Sequence, residues 1–182
     1  MQKEVTISGF GGQGILFAGQ LLAYAAMDEG LNVTWYPSYG PEMRGGTANC
    51  MVIVSNEEIG AALVRQPAAA LVLNLPSLDK YEPLVKPGGL LVVDSSLVEK
   101  KVERTDLRVV YVPATQLAEE IGNRRMANMV MLGALLANFD ILSSEALEKA
   151  LTEHLPERHR KLLPANFKAM AAGAQHKVES FA

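Results

Sequence analysis

Two short segments concentrate residue types that could do chemistry. The first is Gly9-Phe10-Gly11-Gly12-Gln13-Gly14, in which Gly9, Gly11 and Gly14 keep the G-x-G-x-x-G spacing. Such a turn after a strand and before a helix lets backbone approach a ligand, and the free N–H groups at the helix start suit a phosphate or carboxylate. Gly12 strips the turn of another side chain. Gln13 is then the one polar side chain near the helix start, free to donate and accept. The second segment is Tyr39-Gly40-Pro41-Glu42-Met43-Arg44-Gly45-Gly46. Glu42 and Arg44 can carry opposite charges, and the planar guanidinium of Arg44 matches a phosphate or carboxylate. An internal Glu42–Arg44 contact that shapes a surface loop is the plainer alternative.

The glycine turn is only half of a dinucleotide fingerprint. A nicotinamide site wants an acidic residue about 20 positions on, at the end of the second strand. That strand ends Trp35-Tyr36-Pro37, and Asp28 and Glu29 fall at the end of the preceding helix. Anion binding, a partner-facing turn and a turn without a ligand remain open. Other reactive types are sparse. His154, His159 and His176 all lie in the C-terminal quarter, with no metal-ligand spacing, and His154 and His159, flanking Pro156 in a charged stretch, read as exposed surface. Ser38, Ser95 and Ser96 have no base nearby in sequence. Cys50 sits in an apolar strand and reads as core. Asp94 ends a strand, where work at or behind a ligand and a cap or turn hydrogen bond are equally good readings.

The elements that would hold these residues follow from periodicity. Val5–Ser8 is a strand, Ile15–Met27 a nearly all-apolar helix closed by Gly30, and Val33–Tyr36 a second strand. Thr47–Ser55 alternates Cys50, Val52 and Val54 with Met51 and Ile53, so both faces should be covered. Ala70–Asn74, Leu90–Val93 and Arg108–Val112 are further strands. Leu75–Tyr81, Pro113–Ile121 and Met126–Phe139 are helices. Ser143 caps another helix to about Glu153, and a last one runs from Pro164 to Gly173. Ile59-Gly60 is expected to begin a short extended segment. In Met126–Phe139 only Asn128 and Asn138 are strongly polar, so this helix is buried on several sides, by its own chain or by another. Alternating strands and helices with continuous apolar strands predict an α/β fold. Its Rossmann-like sheet would be mostly parallel or mixed, covered by helices, with a helical C-terminal end. One domain over residues 1–174 is expected, then a loose tail, 175–182.

Composition narrows the function classes. The chain has 182 residues, is 49% hydrophobic and only 20% charged, and carries a net charge of −3. That balance argues against a nucleic-acid binder, and modest charge suits a protein that hides surface against partners. Small basic groups, Arg124-Arg125 and Arg158-His159-Arg160-Lys161, are either solvated surface or an anion or partner contact. Cys50 is the one cysteine, which excludes an internal disulfide, a redox pair or cysteine-held iron–sulfur clusters. No signal-peptide pattern or membrane-length apolar run is seen, so a cytoplasmic protein without a membrane partner is the expectation.

Taken with the following Thr47-Ala48-Asn49-Cys50, the two segments at this spacing resemble the gamma subunit, or gamma domain, of 2-oxoacid:ferredoxin oxidoreductases. The likeness runs from residue 3 to about 174. It includes Lys86-Pro87-Gly88-Gly89 before a strand ending in Asp94-Ser95, Asn128 with Gly133, and Asn166 with Gly173. The chain departs from the family at Pro67-Ala68-Ala69-Ala70, where members commonly carry an aspartate, so no role can rest on a charge there. Thr47–Cys50 looks closest to 2-oxoglutarate or branched-chain enzymes, with 2-oxoglutarate favoured.

The resemblance implies an enzyme complex that converts a 2-oxoacid, coenzyme A and oxidised ferredoxin to an acyl-CoA, CO2 and reduced ferredoxin, in some members reversibly. Thiamine diphosphate, Mg2+ and [4Fe–4S] clusters would sit in partner subunits. The partners would be alpha and beta chains and a small ferredoxin-like delta chain, with ferredoxin as electron partner. This chain would hold none of these cofactors itself, have no catalytic or metal-binding residue, and be inactive alone. It would help close the coenzyme A side of the site, with Gly9, Gly11, Gly12, Gln13, Gly14, Tyr39, Glu42, Arg44, Gly45 and Gly46 as its contact residues. The alternatives are a stand-alone nucleotide- or anion-binding Rossmann-like protein and a self-associating scaffold, the isolated chain pairing with itself.

Overall fold

The computed structural model describes residues 1–38 and 47–178. Tyr39, Glu42, Arg44, Gly45 and Gly46 lie outside the described residues. Among the described residues six strands form one mixed sheet: β1 (Gln2–Phe10), β2 (Asn32–Ser38), β3 (Thr47–Ser55), β4 (Ala69–Val72), β5 (Leu90–Asp94) and β6 (Arg108–Val112), in the order β2-β3-β1-β4-β5-β6. β1, β4, β5 and β6 run parallel, and β3 is antiparallel to both its neighbours. Among the described residues the α-helices are α1 (Ile15–Asp28), α2 (Leu75–Tyr81), α3 (Ala114–Ile121), α4 (Ala127–Asn138), α5 (Ser144–His154) and α6 (Leu163–Ala174). This is the expected helix-covered α/β sheet with a helical C-terminal end.

The two faces of the sheet are buried against different layers. Val5, Ile7, Leu71, Val92 and Val110 lie on the face covered by α1 and α4, onto which α3, α5 and α6 pack in turn. Ala70, Val72, Leu91, Val93 and Val109 face α2 and the segment after β5, through Leu78, Tyr81, Val98 and Leu107. Each large side chain sealed this way contributes about 1.5–3 kcal/mol. The second layer is locked by Glu82, nearly buried, which accepts from the Glu103 and Arg104 N–H groups at 2.6 and 2.8 Å.

The strand–turn–helix–strand start is not a simple βαβ unit, because β3 lies between β1 and β2. β2 also runs through Pro37, two residues beyond the expected strand, since an edge strand tolerates a missing N–H. Ile59-Gly60 forms no strand.

Helix α4 is covered by this chain itself, not by another: every residue from Ala127 to Leu135 is buried, with the sheet below and α6 above. Two glycines allow that crossing. A Cβ on Gly133 would lie 2.0 Å from the Met170 carbonyl oxygen, and one on Gly173 1.8 Å from that of Val130. The helix backbones touch there without side chains between. The two asparagines of α4 have separate tasks. Asn138 donates to the His176 carbonyl at 2.8 Å and accepts from the Val178 N–H at 3.1 Å. The chain after α6 is thus held down as far as Val178, where a loose tail was expected. No helix among the described residues is long and apolar enough to cross a membrane.

Candidate functional site

The strand order proceeds in opposite directions from β1 and β4, which are themselves parallel: α1 leads from β1 toward the β2 edge, while β4 leads on to β5 and β6. In open α/β sheets a ligand crevice opens at such a point, outside the carboxyl ends of the strands. Here Gln13 fills it. Its Oε1 accepts from the Phe10 N–H at 2.6 Å, and its Nε2 donates to the Leu73 carbonyl at 3.3 Å. The expectation of a free Gln13 amide is therefore wrong: both ends of the side chain are used to tie the turn to the end of β4. Gly9 makes room for this brace, since a Cβ there would lie 2.4 Å from Gln13 Oε1 and 3.0 Å from Leu73. The turn itself depends on Gly12 and Gly14, at φ +93° and +73°, the left-handed region that glycine enters cheaply.

The missing acidic residue has a structural counterpart. With β3 inserted, the end of β2 is two strands from β1, about 10 Å at ordinary strand spacing. A carboxylate there would not meet a ribose held by this turn.

Beside the closed crevice the rim offers two surfaces. On one side of the turn is a cleft of about 340 Å³, walled by Gly12 and Gln13 and, opposite, by Thr115, Asn123, Arg124, Arg125 and Ala127. Local structure puts the arginines there. Gly122, at φ +100°, ends α3, the Asn123 side chain accepts from the Arg125 N–H at 3.1 Å, and a single 3-10 turn leads into α4. Both arginines are exposed. Arg124 reaches Glu119 at 3.5 Å, and Arg125 makes no ion pair among the described residues. The N-termini of α1 and α4 meet across this cleft, where Asn128 donates to the Gly14 carbonyl at 3.1 Å. Helix N-termini and guanidinium groups make the cleft attractive to anions. On the other side of the turn is an apolar groove of about 280 Å³, lined by Phe10, Ile15, Leu16, Phe17 and Ala48 among others. Phe10 and Phe17 are 41% and 37% exposed.

Of the expected site residues, the structure brings Gly9, Gly11, Gly12, Gln13 and Gly14 to this rim. The segment that carries Tyr39, Glu42, Arg44, Gly45 and Gly46 is outside the described residues, but its flanks leave the sheet at the same rim, where Phe10 pairs with Thr47 and Ser38 with Asn49. In the sequence Arg124 and Arg125 stand out only as a basic pair. The Gly122-Asn123 helix stop just before an apolar helix is the signal that would have put them at a helix N-terminus.

The remaining candidates resolve plainly. Asp94 is fully buried and accepts from the Ser96 N–H (3.1 Å), the Thr115 N–H (3.3 Å) and the Thr115 hydroxyl (2.6 Å), so it caps α3 and sets one wall of the cleft. Cys50 is core. Burial pushes its thiol up to about 12, opposed in part by Trp35 and by the Gly19 backbone. His154 is exposed, as expected, and also contacts Asp28 and stacks on Tyr24.

These features define a Rossmann-like α/β module whose nucleotide crevice is closed by its own side chain and whose rim presents a basic cleft beside an apolar groove. Residues 4–176 match the family described as pyruvate ferredoxin/flavodoxin oxidoreductase. The chain belongs to that family, as a gamma-type member of the 2-oxoacid:ferredoxin oxidoreductases. It is 39% identical over 174 residues to ketoisovalerate oxidoreductase subunit VorA of Methanothermobacter marburgensis, covering 95% of this chain but 36% of that protein. The chain thus spans about a third of the length of that relative. The crystal structure of a keto/oxoacid ferredoxin oxidoreductase gamma subunit from Geobacter sulfurreducens superposes with a TM-score of 0.81 at 35% identity, covering 95% of this chain and 96% of that one. A 2-oxoglutarate:ferredoxin oxidoreductase from Magnetococcus marinus, with 2-oxoglutarate, coenzyme A and succinyl-CoA bound, superposes with a TM-score of 0.85 at 25% identity, over 96% of this chain and 31% of that one.

Proposed function

We propose that this chain is the non-redox gamma subunit of a 2-oxoacid:ferredoxin oxidoreductase and forms the coenzyme A side of the assembled active site. The observation that carries this reading is the basic cleft on the glycine rim, in a chain of this family, with the nucleotide crevice shut. Coenzyme A is a polyanion, and Arg124, Arg125 and the converging helix N-termini offer the charge that would hold its phosphates. Gly11 and Gly12 let a ligand or a partner's backbone approach closely, and the apolar groove around Phe10 and Phe17 suits burial against a neighbouring subunit. Tyr39, Glu42, Arg44, Gly45 and Gly46 belong to the same reading through the family resemblance.

Thiamine diphosphate, Mg2+ and iron–sulfur clusters are assigned to alpha, beta and delta partners, and electrons to ferredoxin, in a cytoplasmic complex. 2-Oxoglutarate is the favoured acid, with branched-chain acids and pyruvate as alternatives that another subunit would decide.

The test is a complex recovered by native pull-down of the tagged chain. Replacing Arg124 and Arg125 together by alanine should raise KM for coenzyme A by one to two orders of magnitude and leave KM for the 2-oxoacid unchanged. If both constants stay as in the parent complex, the cleft does not serve coenzyme A. If the pull-down yields no thiamine- or cluster-containing chains, the subunit reading itself fails.

A further inference from the structure

The second meeting of polar groups lies far from the glycine rim, where α1 and α5 end side by side. Asp28 is the last residue of α1 and His154 the last of α5. His154 Nε2 lies 2.9 Å from Asp28 Oδ2, across 126 positions of sequence. Glu153 stands beside them, and one ligand atom from each of the three falls within 4.8 Å of the others. The imidazole is held in place. It stacks on Tyr24, with ring centroids 4.3 Å apart and planes 11° from parallel, and the Tyr24 hydroxyl accepts from Gln20 at 3.1 Å.

Three observations favour a cation here over a plain ion pair. Two carboxylates share one imidazole, so a single protonated histidine would leave the group net negative. Both helices direct their C-terminal ends, with their partial negative charge, toward the same place. Among the described residues, Asp28 has no ion-pair partner except His154, and Glu153 has none. Arg158, the nearest arginine in sequence, directs its Nε to His159.

We propose that Asp28, Glu153 and His154 form a binding site for a divalent transition-metal ion of the zinc class, which clips the end of α1 to the end of α5. One nitrogen and two oxygen donors suit zinc and its neighbours better than magnesium or calcium, which take oxygen ligands. Tetrahedral zinc with bonds of about 2.0–2.2 Å sets its ligand atoms about 3.4 Å apart. The 2.9 Å Asp28–His154 contact therefore opens by about half an ångström, and Glu153, within 4.8 Å of both, comes to the same spacing. Exposed carboxylates at helix ends can make both movements by rotamer change. Three protein ligands leave a fourth position for water, beside a pocket of about 200 Å³ that His154 lines with Tyr24, Leu151 and Pro156.

The inference is independent of the coenzyme A reading, because it concerns the chain alone. Zinc chloride is titrated into the full chain by calorimetry, and melting is followed with and without the metal. One ion per chain, with a higher Tm in its presence, is expected. His154→Gln and Asp28→Asn should each weaken binding by an order of magnitude or more, while His159→Gln, on the neighbouring exposed histidine, leaves it unchanged. Magnesium in large excess should not displace the zinc. Absence of saturable zinc binding would overturn the site, as would binding that survives both Asp28→Asn and His154→Gln. Asp28→Asn, at an exposed position, keeps the test valid if His154→Gln folds poorly.

Discussion

The Asn128 side-chain nitrogen stands 2.5 Å from where a Cβ on Gly14 would be, and it donates to the carbonyl of that same glycine at 3.1 Å. The start of α4, which directly follows the turn carrying the arginine pair, is thereby fastened to the glycine turn. Gly14→Ala should strain a left-handed backbone and push Asn128 away at once, costing about 1–3 kcal/mol. Gly12→Ala, equally left-handed but with nothing within 4 Å of the new Cβ, should cost only the backbone term, about 1 kcal/mol. Chemical denaturation of the two variants checks the difference. Equal losses would mean that the Asn128 contact does not matter.

The α4–α6 crossing admits no side chain at its centre. Gly133→Ala or Gly173→Ala must drive the two helix backbones apart, because the clash is with carbonyl oxygens and not with a flexible side chain. The loss should be at the top of the overpacking range, about 3 kcal/mol or more, and visible as a lower Tm or as insoluble protein. A soluble variant melting within a few degrees of the parent would show that the crossing is looser than described.

Gln13→Glu separates the brace from the charge of the cleft. The glutamate keeps an acceptor for the Phe10 N–H but loses the donor to Leu73 and brings a negative charge to the wall facing Arg124 and Arg125. Stability should fall by about 1 kcal/mol. In the assembled complex KM for coenzyme A should rise several-fold more than for Gln13→Ala. Equal KM values for the two variants would remove the electrostatic argument for the cleft.

Asp94→Ala leaves the Thr115 hydroxyl and two N–H groups without their acceptor inside the protein. A loss of about 2–4 kcal/mol is expected, from an emptied cap together with unsatisfied buried donors. Denaturant midpoints for Asp94→Ala and the milder Asp94→Asn check it.

Cys50 sets an alkaline limit. Its pKa is raised from 9.0 to about 12, chiefly by burial, so the folded chain keeps a proton that the unfolded chain releases. Its contribution to stability is intact below pH 9 and is lost as pH rises from 9 toward 12, by about 1.4 kcal/mol per unit inside that window. Cys50→Ala should be less stable than the parent at pH 7, because it empties space between Gly19 and Trp35. Between pH 9 and 11 its stability should fall less steeply. Parallel pH curves for the two proteins would disprove the assignment.

Local features of the chain were readable in advance where local chemistry decides them. Ser143 announces α5 and does cap it, accepting from the Ala146 N–H at 3.1 Å. The two-faced apolar pattern of Thr47–Ser55 correctly marks a covered strand, and Cys50 a core position. Partners distant in sequence were not readable. Alternation in β3 says that both faces are covered, not that it enters the sheet between β1 and β2. Gln13 looks available because its acceptor, Leu73, lies 60 positions away. The bland all-round apolarity of α4 leaves open who covers it, and only Gly133 and Gly173 together reveal that its own α6 does. His154 reads as surface in a charged stretch and is exposed, but nothing local shows that the fold returns it to Tyr24 and Asp28.

One practical result follows from the single thiol beneath α1. Buried beside Gly19 and Trp35, it is expected to stay silent toward ordinary alkylating reagents at neutral pH. A cysteine introduced on the rim, at Phe10, Phe17 or Arg125, would then be the only reactive handle on the molecule. Each neighbour in a larger assembly could be mapped by crosslinking to that handle, with no need to delete the native sulfur first.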